Sequence, residues 1–170
     1  MTGAPLAVLR LGVADAADFH ELRLDGLRRH PEAFGASYEE EVRHSLEDCG
    51  RRMESGIVFG IRRNGQHALD GIAGLYIPEA IKTRHKGVLW GMYVRPEARG
   101  RGLGSALVAR VIEHAATLVE EITLAVGASN ASAMGLYKSA GFESYGLEHR
   151  ALKMAGRYVD EVLMRLVPVQ

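Results

Sequence analysis

Residues 94–105 read VRPEARGRGLGS, and this is the most informative stretch of the sequence. An apolar run ends just before it, three glycines alternate within it, and an amphipathic helical pattern follows. In such a turn several backbone N–H groups at the start of the helix lack partners, and the helix dipole makes that end positive. Glycine also lets an anion approach the backbone closely. The stretch therefore predicts a phosphate-binding turn, with Arg99 and Arg101 adding charge at its rim.

The glycine spacing does not match either common nucleotide fingerprint. Counted from Gly100, the dinucleotide pattern G-x-G-x-x-G requires a third glycine where Ser105 stands, and the triphosphate pattern G-x-x-x-x-G-K-[ST] lacks its lysine. The pattern that is present is R-x-x-G-x-G, from Arg99 to Gly104. The alternative interpretation is a glycine-rich turn that only packs a helix against a sheet.

Composition is that of an ordinary globular domain. Over 170 residues, 21 Lys and Arg balance 21 Asp and Glu, so no overall positive field indicates nucleic-acid binding. The one cysteine, Cys49, excludes an intramolecular disulfide, and the seven histidines show no metal-ligand spacing. No leader-like segment and no membrane-length apolar run is seen. We therefore expect a single cytoplasmic domain over residues 1–170, with no metal, membrane or nucleic-acid partner.

Hydrophobic periodicity predicts the element order β-α-α-β-β-β-α-β-α-β-β. An Asn64-Gly65 pair predicts a hairpin turn between the second and third strands. A meander next to β-α-β crossovers implies an α/β fold, with one mixed sheet of about seven strands and helices on both faces. The predicted strands cover residues 6–11, 58–61, 72–77, 88–94, 122–126, 142–147 and 158–167. The predicted helices cover 15–30, with Asp15 and Asp18 as an N-cap pair, one stretch within 34–52 that starts at Ser37, then 103–117 and 130–140.

Two separate blocks resemble the GCN5-related N-acetyltransferase (GNAT) superfamily. Residues 89–107, LWGMYVRPEARGRGLGSAL, are similar to its fourth strand and pyrophosphate loop, and residues 130–142, NASAMGLYKSAGF, to its N-x-x-A-x-x-x-Y-x-x-x-G-F helix. The resemblance extends along nearly the whole chain. It implies a sheet that splays at a bulge between strands four and five, and an acetyl-CoA-dependent N-acetyltransferase acting on a primary amine of a small molecule or a protein. A non-catalytic acyl-CoA sensor is the alternative.

The resemblance also implies roles for individual residues. Backbone groups of Met92, Tyr93 and Val94 are expected to contact the pantetheine arm and thioester, and Met92 or Val94 to stabilise charge on the carbonyl oxygen. Tyr137 is the predicted general acid, although on spacing alone it also fits the apolar face of its helix. The coenzyme is further expected to contact Arg99, Gly100, Arg101, Gly102, Leu103, Gly104, Ser105, Asn130 and Tyr137.

Neither the general base nor the acceptor follows from the resemblance. Many relatives carry Glu or His on the fourth strand, but residues 89–94 contain neither. Glu40 is our candidate base, and a water chain to solvent is an equal alternative. Acceptor selection is expected in segments 31–41, 78–86 and 148–158, and a homodimer through residues 162–167 is left open. Further base candidates are Glu39, Glu41, Glu79, His85, Asp160 and Glu161; the glutamates at 39–41 either attract a cationic amine or form a solvated face.

Overall fold

The computed structural model describes residues 6–62 and 67–169, and within them seven strands form one sheet in the order β1-β2-β3-β4-β5-β7-β6. All neighbouring strands are antiparallel except β4 and β5, which are parallel. This mixed sheet confirms the predicted α/β class. The strands are β1 (Val8–Arg10), β2 (Ile57–Ile61), β3 (Gly71–Tyr76), β4 (Lys86–Val94), β5 (Glu121–Gly127), β6 (Glu143–Met154) and β7 (Arg157–Leu166).

Five α-helices accompany the sheet in the described part of the chain, and three short 3-10 turns cover Val13–Asp15, Pro31–Ala33 and Pro96–Ala98. The longest described helix has 14 residues. Across residues 6–62 and 67–169, no helix is both long and apolar enough to span a membrane. The helices are α1 (Ala16–Arg29), α2 (Tyr38–Glu41), α3 (Leu46–Ser55), α4 (Leu103–Ala115) and α5 (Ala131–Ser139).

Two hydrophobic cores lie on opposite faces of the sheet. Successive side chains of a strand point to opposite faces, so neighbours in β2 such as Val58 and Phe59 enter different cores. One core packs against α4 and α5, and includes the fully buried Leu107 of α4. The other packs against α1 and α3, and includes Phe19 of α1 and Met53 of α3. Helices therefore cover both faces, as the sequence predicted.

The sheet opens between its two parallel strands. β4 pairs with β5 only over Lys86–Val88, whereas its pairing with β3 continues to Val94. The register between β3 and β4 shifts by one residue, so that Gly91 and Met92 together face Ala73. Gly91 has a φ of +64°, which glycine adopts without the penalty other residues carry. The predicted bulge and the predicted splay of strands four and five are both confirmed.

The predicted second helix is wrong in its continuity, because two helices, α2 and α3, occupy residues 38–55. Two capping boxes explain the break. Ser37 Oγ accepts from the Glu40 amide, and Ser45 Oγ accepts from the Asp48 amide, and each acidic side chain bonds back to its serine. The second box starts a new helix where one had been predicted to continue.

Smaller differences concern strand β6 and the first helix. β6 extends to Met154, beyond the predicted end at residue 147. Asp15 stands at the N-cap of α1, but its side chain caps no helix amide; instead it pairs with Arg62 at 2.7 Å. The predicted turn at Asn64-Gly65 lies outside the described residues.

Candidate functional site

A cleft of about 540 Å³ opens where β4 and β5 separate. Its walls are β4 from Leu89 to Val94, the glycine turn with the start of α4, the end of β5, and α5; residues 30, 32 and 33 close one side. Volume and concavity are those of a small-molecule site. Because no described strand pairs with β4 on its β5 side beyond Val88, that edge presents its backbone polar groups to the cleft.

The glycine turn forms one end of the cleft. Gly100 and Gly102 have φ values of +74° and +79°, and α4 then starts without any side-chain cap. The first bond of the helix runs from the Ala106 amide to the Gly102 carbonyl, so the preceding amides have no helical partner. All the residues that supply these amides line the cleft, namely Leu103, Gly104 and Ser105. The predicted anion site therefore has the backbone geometry that anion binding requires.

The two arginines of the turn are placed differently. Arg99 lines the cleft, donates from Nε to the Val94 carbonyl at 3.0 Å, and lies over the Tyr93 ring at 6.0 Å. Arg101 is exposed and is not among the cleft-lining residues. Arg99 is thus held on the wall by its neighbours, whereas Arg101 contributes charge only from outside.

Helix α5 forms the opposite wall and carries both residues predicted from the second sequence block. Asn130 is its N-cap, with Oδ1 accepting from the Ala133 amide at 3.1 Å. Tyr137 is buried, lines the cleft and meets the ring of Phe142 edge-on at 5.8 Å. Burial raises the pKa of Tyr137 to about 12, so the phenol keeps its proton throughout the physiological range.

Tyr93 also lines the cleft, and its side chain is anchored by residues of α1 and of the segment that follows it. Its hydroxyl donates to Asp25 Oδ2 at 2.9 Å, and its ring lies against Phe34 and His30. Burial, and then the hydrogen bond to Asp25, raise the pKa of Tyr93 to about 12. Its side chain is therefore a fixed neutral surface, while its backbone remains at the cleft edge.

None of the base candidates named from the sequence lines the cleft. The Glu40 carboxylate accepts hydrogen bonds from the Ser37 amide and hydroxyl, as part of the capping box. Glu41 is buried beneath α1, and Asp160 accepts from the Arg150 amide at 2.7 Å. The others outside the lining are Glu39, Glu79, His85 and Glu161.

Two ionisable residues that were not among the base candidates do line the cleft, and one of them falls in segment 31–41, which was predicted to select the acceptor. His30 ends α1, its backbone N–H donating to the Gly26 carbonyl at 2.8 Å, and Glu32 follows in the Pro31–Ala33 turn. Nδ1 of His30 lies 3.7 Å from Oε1 of Glu32. No motif or spacing marks this pair in the sequence, since only the packing of the turn against the cleft gives it a role.

A buried ion cluster of Arg23, Glu41 and Arg52 contacts strand β4 of the cleft wall. Glu41 Oε1 lies 2.9 Å from Nε of Arg23, as an ion pair without hydrogen-bond geometry, and accepts from Nη1 of Arg52 at 2.6 Å. The Arg23 guanidinium lies over the Trp90 ring at 5.3 Å and beside Gly91 of the bulge. Within the described residues, no three His, Cys, Asp or Glu side chains cluster as metal ligands would.

Comparison with known proteins gives one family. The model of the acetyltransferase (GNAT) family matches residues 19–142. Over 76 residues the chain is 36% identical to an L-methionine sulfoximine/L-methionine sulfone acetyltransferase of Pseudomonas paraeruginosa, a match that covers 44% of each protein. Over 55 residues it is 40% identical to the peptidyl-lysine N-acetyltransferase YjaB of Salmonella typhimurium, covering 32% of this chain and 35% of that one. The match thus spans less than half the length of these curated relatives.

The fold is shared with solved acetyltransferase structures. The structure of yncA from Salmonella typhimurium, which contains its cofactor acetyl-CoA, superposes with a TM-score of 0.85 at 20% identity, over 98% of this chain and 96% of that one. At that identity the likeness concerns the arrangement of the chain.

Proposed function

Because this chain belongs to the acetyltransferase (GNAT) family, we propose that it is an enzyme that transfers an acetyl group from acetyl-CoA to a primary amine. The observation that carries the proposal is the cleft itself. A helix N-terminus with free amides, an unpaired strand edge and a buried phenol line one continuous cavity between β4 and β5. An acyl-CoA has a pyrophosphate, an amide-rich arm and a thioester in the same succession.

The residues present fit the coenzyme. The amides of Leu103, Gly104 and Ser105 would bind the pyrophosphate, and Gly100 and Gly102 leave room for its oxygens because no side chain covers the turn. Arg99 adds a cation on the wall, and Arg101 adds one at the rim. The exposed edge of β4 at Met92, Tyr93 and Val94 would bind the pantetheine arm, as a further strand binds a sheet edge. Asn130 would contact the coenzyme from the N-terminus of α5.

The chemistry asks three things of the protein. Acetyl-CoA supplies a thioester whose carbonyl carbon accepts the amine nitrogen. The protein must stabilise charge developing on the carbonyl oxygen, which the Met92 or Val94 amide at the bulged strand edge would do. It must also stabilise the departing sulfur and take a proton from the amine.

Tyr137, predicted from the resemblance as the general acid, is the group we assign to the sulfur as hydrogen-bond donor. Its pKa of about 12 lies above that of an ordinary thiol near 8.5, so complete transfer of its proton would be uphill by about 5 kcal/mol. Donation of a hydrogen bond carries no such cost. Tyr137 would therefore act chiefly by stabilising the thiolate as it forms, with solvent completing the protonation.

The acceptor is proposed by class alone. A protein similar to this chain is named for peptidyl-lysine acetylation, which is chemistry on a primary amine. A single domain over residues 1–170, a cytoplasmic location, and the absence of metal, membrane and nucleic-acid partners stay predictions, and the choice between monomer and homodimer stays open.

Thiol release tests the proposal. The protein is incubated with acetyl-CoA and a panel of primary amines, including diamines and lysine peptides, and free thiol is followed with a chromogenic disulfide. We expect amine-dependent thiol with at least one acceptor. Coenzyme binding without amine-dependent thiol across the panel would contradict the proposed reaction and favour the acyl-CoA sensor.

A further inference from the structure

Few of the described residues that line the cleft can take a proton from an ammonium group near neutral pH. The ionisable ones are His30, Glu32, Tyr93, Arg99 and Tyr137. Arginine stays protonated in proteins, and both tyrosines are neutral phenols with a pKa of about 12. The Tyr93 hydroxyl, in addition, is already bonded to Asp25. His30 and Glu32 are therefore the only proton acceptors on the described wall.

His30 and Glu32 lie in a segment that contacts both β4 and β5, the two strands that separate at the cleft. The ring of His30 lies 6.2 Å from the Tyr93 ring of β4, at an angle of 50°. The carbonyl of Glu32 lies 3.8 Å from the place that a Cβ on Gly127, at the end of β5, would take. The short segment between α1 and α2 thus contacts both separated strands. The ring of His30 therefore lies beside Tyr93, on the stretch of β4 that is proposed to contact the thioester.

We infer that His30 is the general base of the transfer, held and assisted by Glu32; this inference rests on the function proposed above. An acceptor ammonium gives one proton to Nε2 of His30. The neutral nitrogen then forms a bond to the thioester carbonyl carbon, and the C–S bond breaks with its electron pair on sulfur. The second nitrogen proton passes to that sulfur through solvent, and His30 returns its own proton to water. The products are an amide, a thiol and one released proton.

Histidine suits this task better than its carboxylate neighbour. Histidine is the side chain that enzymes use most often for proton transfer. The His30 side chain is also the more sheltered of the two, at 33% exposed against 54% for Glu32. With Nδ1 directed at Glu32, the nitrogen left for the acceptor is Nε2. Glu32 would fix that orientation and stabilise the imidazolium, as a carboxylate does in other histidine-based sites.

The other charges around His30 are already engaged. Arg99 lies over the Tyr93 ring, and Asp25 accepts the Tyr93 hydroxyl. Arg29, next to His30 in α1, pairs with Glu97 at 2.6 Å and with Asp25 at 3.4 Å. Among the described residues, Glu32 is therefore the carboxylate that pairs with the His30 ring, and its removal should change the activity directly.

The test compares His30→Gln and Glu32→Gln with the intact protein, with His44→Gln as a matched control, since His44 is exposed between α2 and α3. At neutral pH we expect His30→Gln to lower kcat/KM about 100-fold or more, with acetyl-CoA affinity nearly unchanged. In that variant kcat/KM should rise about tenfold per pH unit, because only amine that is already neutral reacts. Imidazole should restore part of the activity of His30→Ala. Glu32→Gln should have a smaller effect and shift the acidic limb of the profile to lower pH. The His44→Gln control should match the intact protein.

Failure of this inference differs from failure of the proposed function. If the intact protein releases amine-dependent thiol and His30→Gln keeps kcat/KM within about twofold, with the same pH profile, His30 is not the base and the inference is overturned. If the intact protein itself gives no such thiol, the proposed function fails. An unshifted pH profile in Glu32→Gln would overturn the role of Glu32.

Discussion

Replacement of Gly102 by alanine separates the binding role of the glycine turn from its role in the fold. Gly102 has a φ of +79°, and a Cβ built there meets no heavy atom within 4 Å. Gly156, in the turn between β6 and β7, has a φ of +78° and equally open surroundings. Of these two glycines, Gly102 lines the cleft and Gly156 does not. Gly156→Ala is therefore a matched control with the same backbone strain and no bearing on the coenzyme.

Gly102→Ala and Gly156→Ala should lose similar amounts of thermal stability, but only Gly102→Ala should lose affinity for acetyl-CoA. An L-residue in the left-handed region costs about 1–2 kcal/mol, which in a chain of this size lowers the Tm by about 2–8 °C in both. In Gly102→Ala the methyl group enters the space proposed for the pyrophosphate. Loss of one charge-assisted bond to a helix amide costs about 1.5–3 kcal/mol, which weakens acetyl-CoA binding on the order of ten- to hundredfold.

Calorimetric titration with acetyl-CoA and thermal unfolding measure the two effects separately. We expect a weaker Kd in Gly102→Ala alone, alongside similar Tm losses in both proteins. Equal acetyl-CoA affinity in Gly102→Ala and Gly156→Ala, with both proteins folded, would refute the placement of the pyrophosphate at the start of α4.

Two further predictions concern the opposite wall and its support. Tyr137→Phe should lower turnover about tenfold or more with little change in acetyl-CoA affinity, because it removes only the donor to the leaving sulfur; unchanged turnover in a steady-state assay would exclude that role. Glu41→Gln should destabilise the fold by about 3 kcal/mol, since Arg23 is then left buried without its carboxylate. Burial opposes ionisation of Glu41, but the positive charges of Arg23 and Arg52, together with the hydrogen bond from Arg52, outweigh it and hold its pKa below the ordinary value of 4.5. The intact protein should therefore lose this stability as the pH falls below about 4.5, while Glu41→Gln lacks that loss in urea unfolding curves.

The glycine turn, the cap of α5 and the helices on both faces of the sheet could be predicted from the sequence because the signals for them are local. Gly100 and Gly102 encode the turn through their own backbone freedom, and Asn130 encodes the start of α5 through its cap. The alternation of apolar residues fixes which faces of the strands are buried, and so predicts helices on both sides of the sheet. Each of these signals lies within a few residues of the structure it determines.

The two residues that we propose as proton acceptors could not be predicted in the same way. His30 and Glu32 are brought to the cleft by the packing of a short turn against Tyr93 and Gly127, which are distant in sequence. Two acidic residues named as base candidates have other partners: Glu40 belongs to the capping box of α2, and Glu41 pairs with the buried Arg23. The second capping box, at Ser45 and Asp48, was readable from the sequence and would have corrected the continuous helix.

Isotope transfer tests the central claim most directly. The protein is incubated with acetyl-CoA labelled in the acetyl group and with the amine that gives the fastest thiol release, and the products are identified by mass spectrometry. We predict one labelled amide on the amine nitrogen for each thiol released. Labelled acetate in place of the amide, or thiol release that does not depend on the amine, would contradict the assignment of an N-acetyltransferase site to the cleft between β4 and β5.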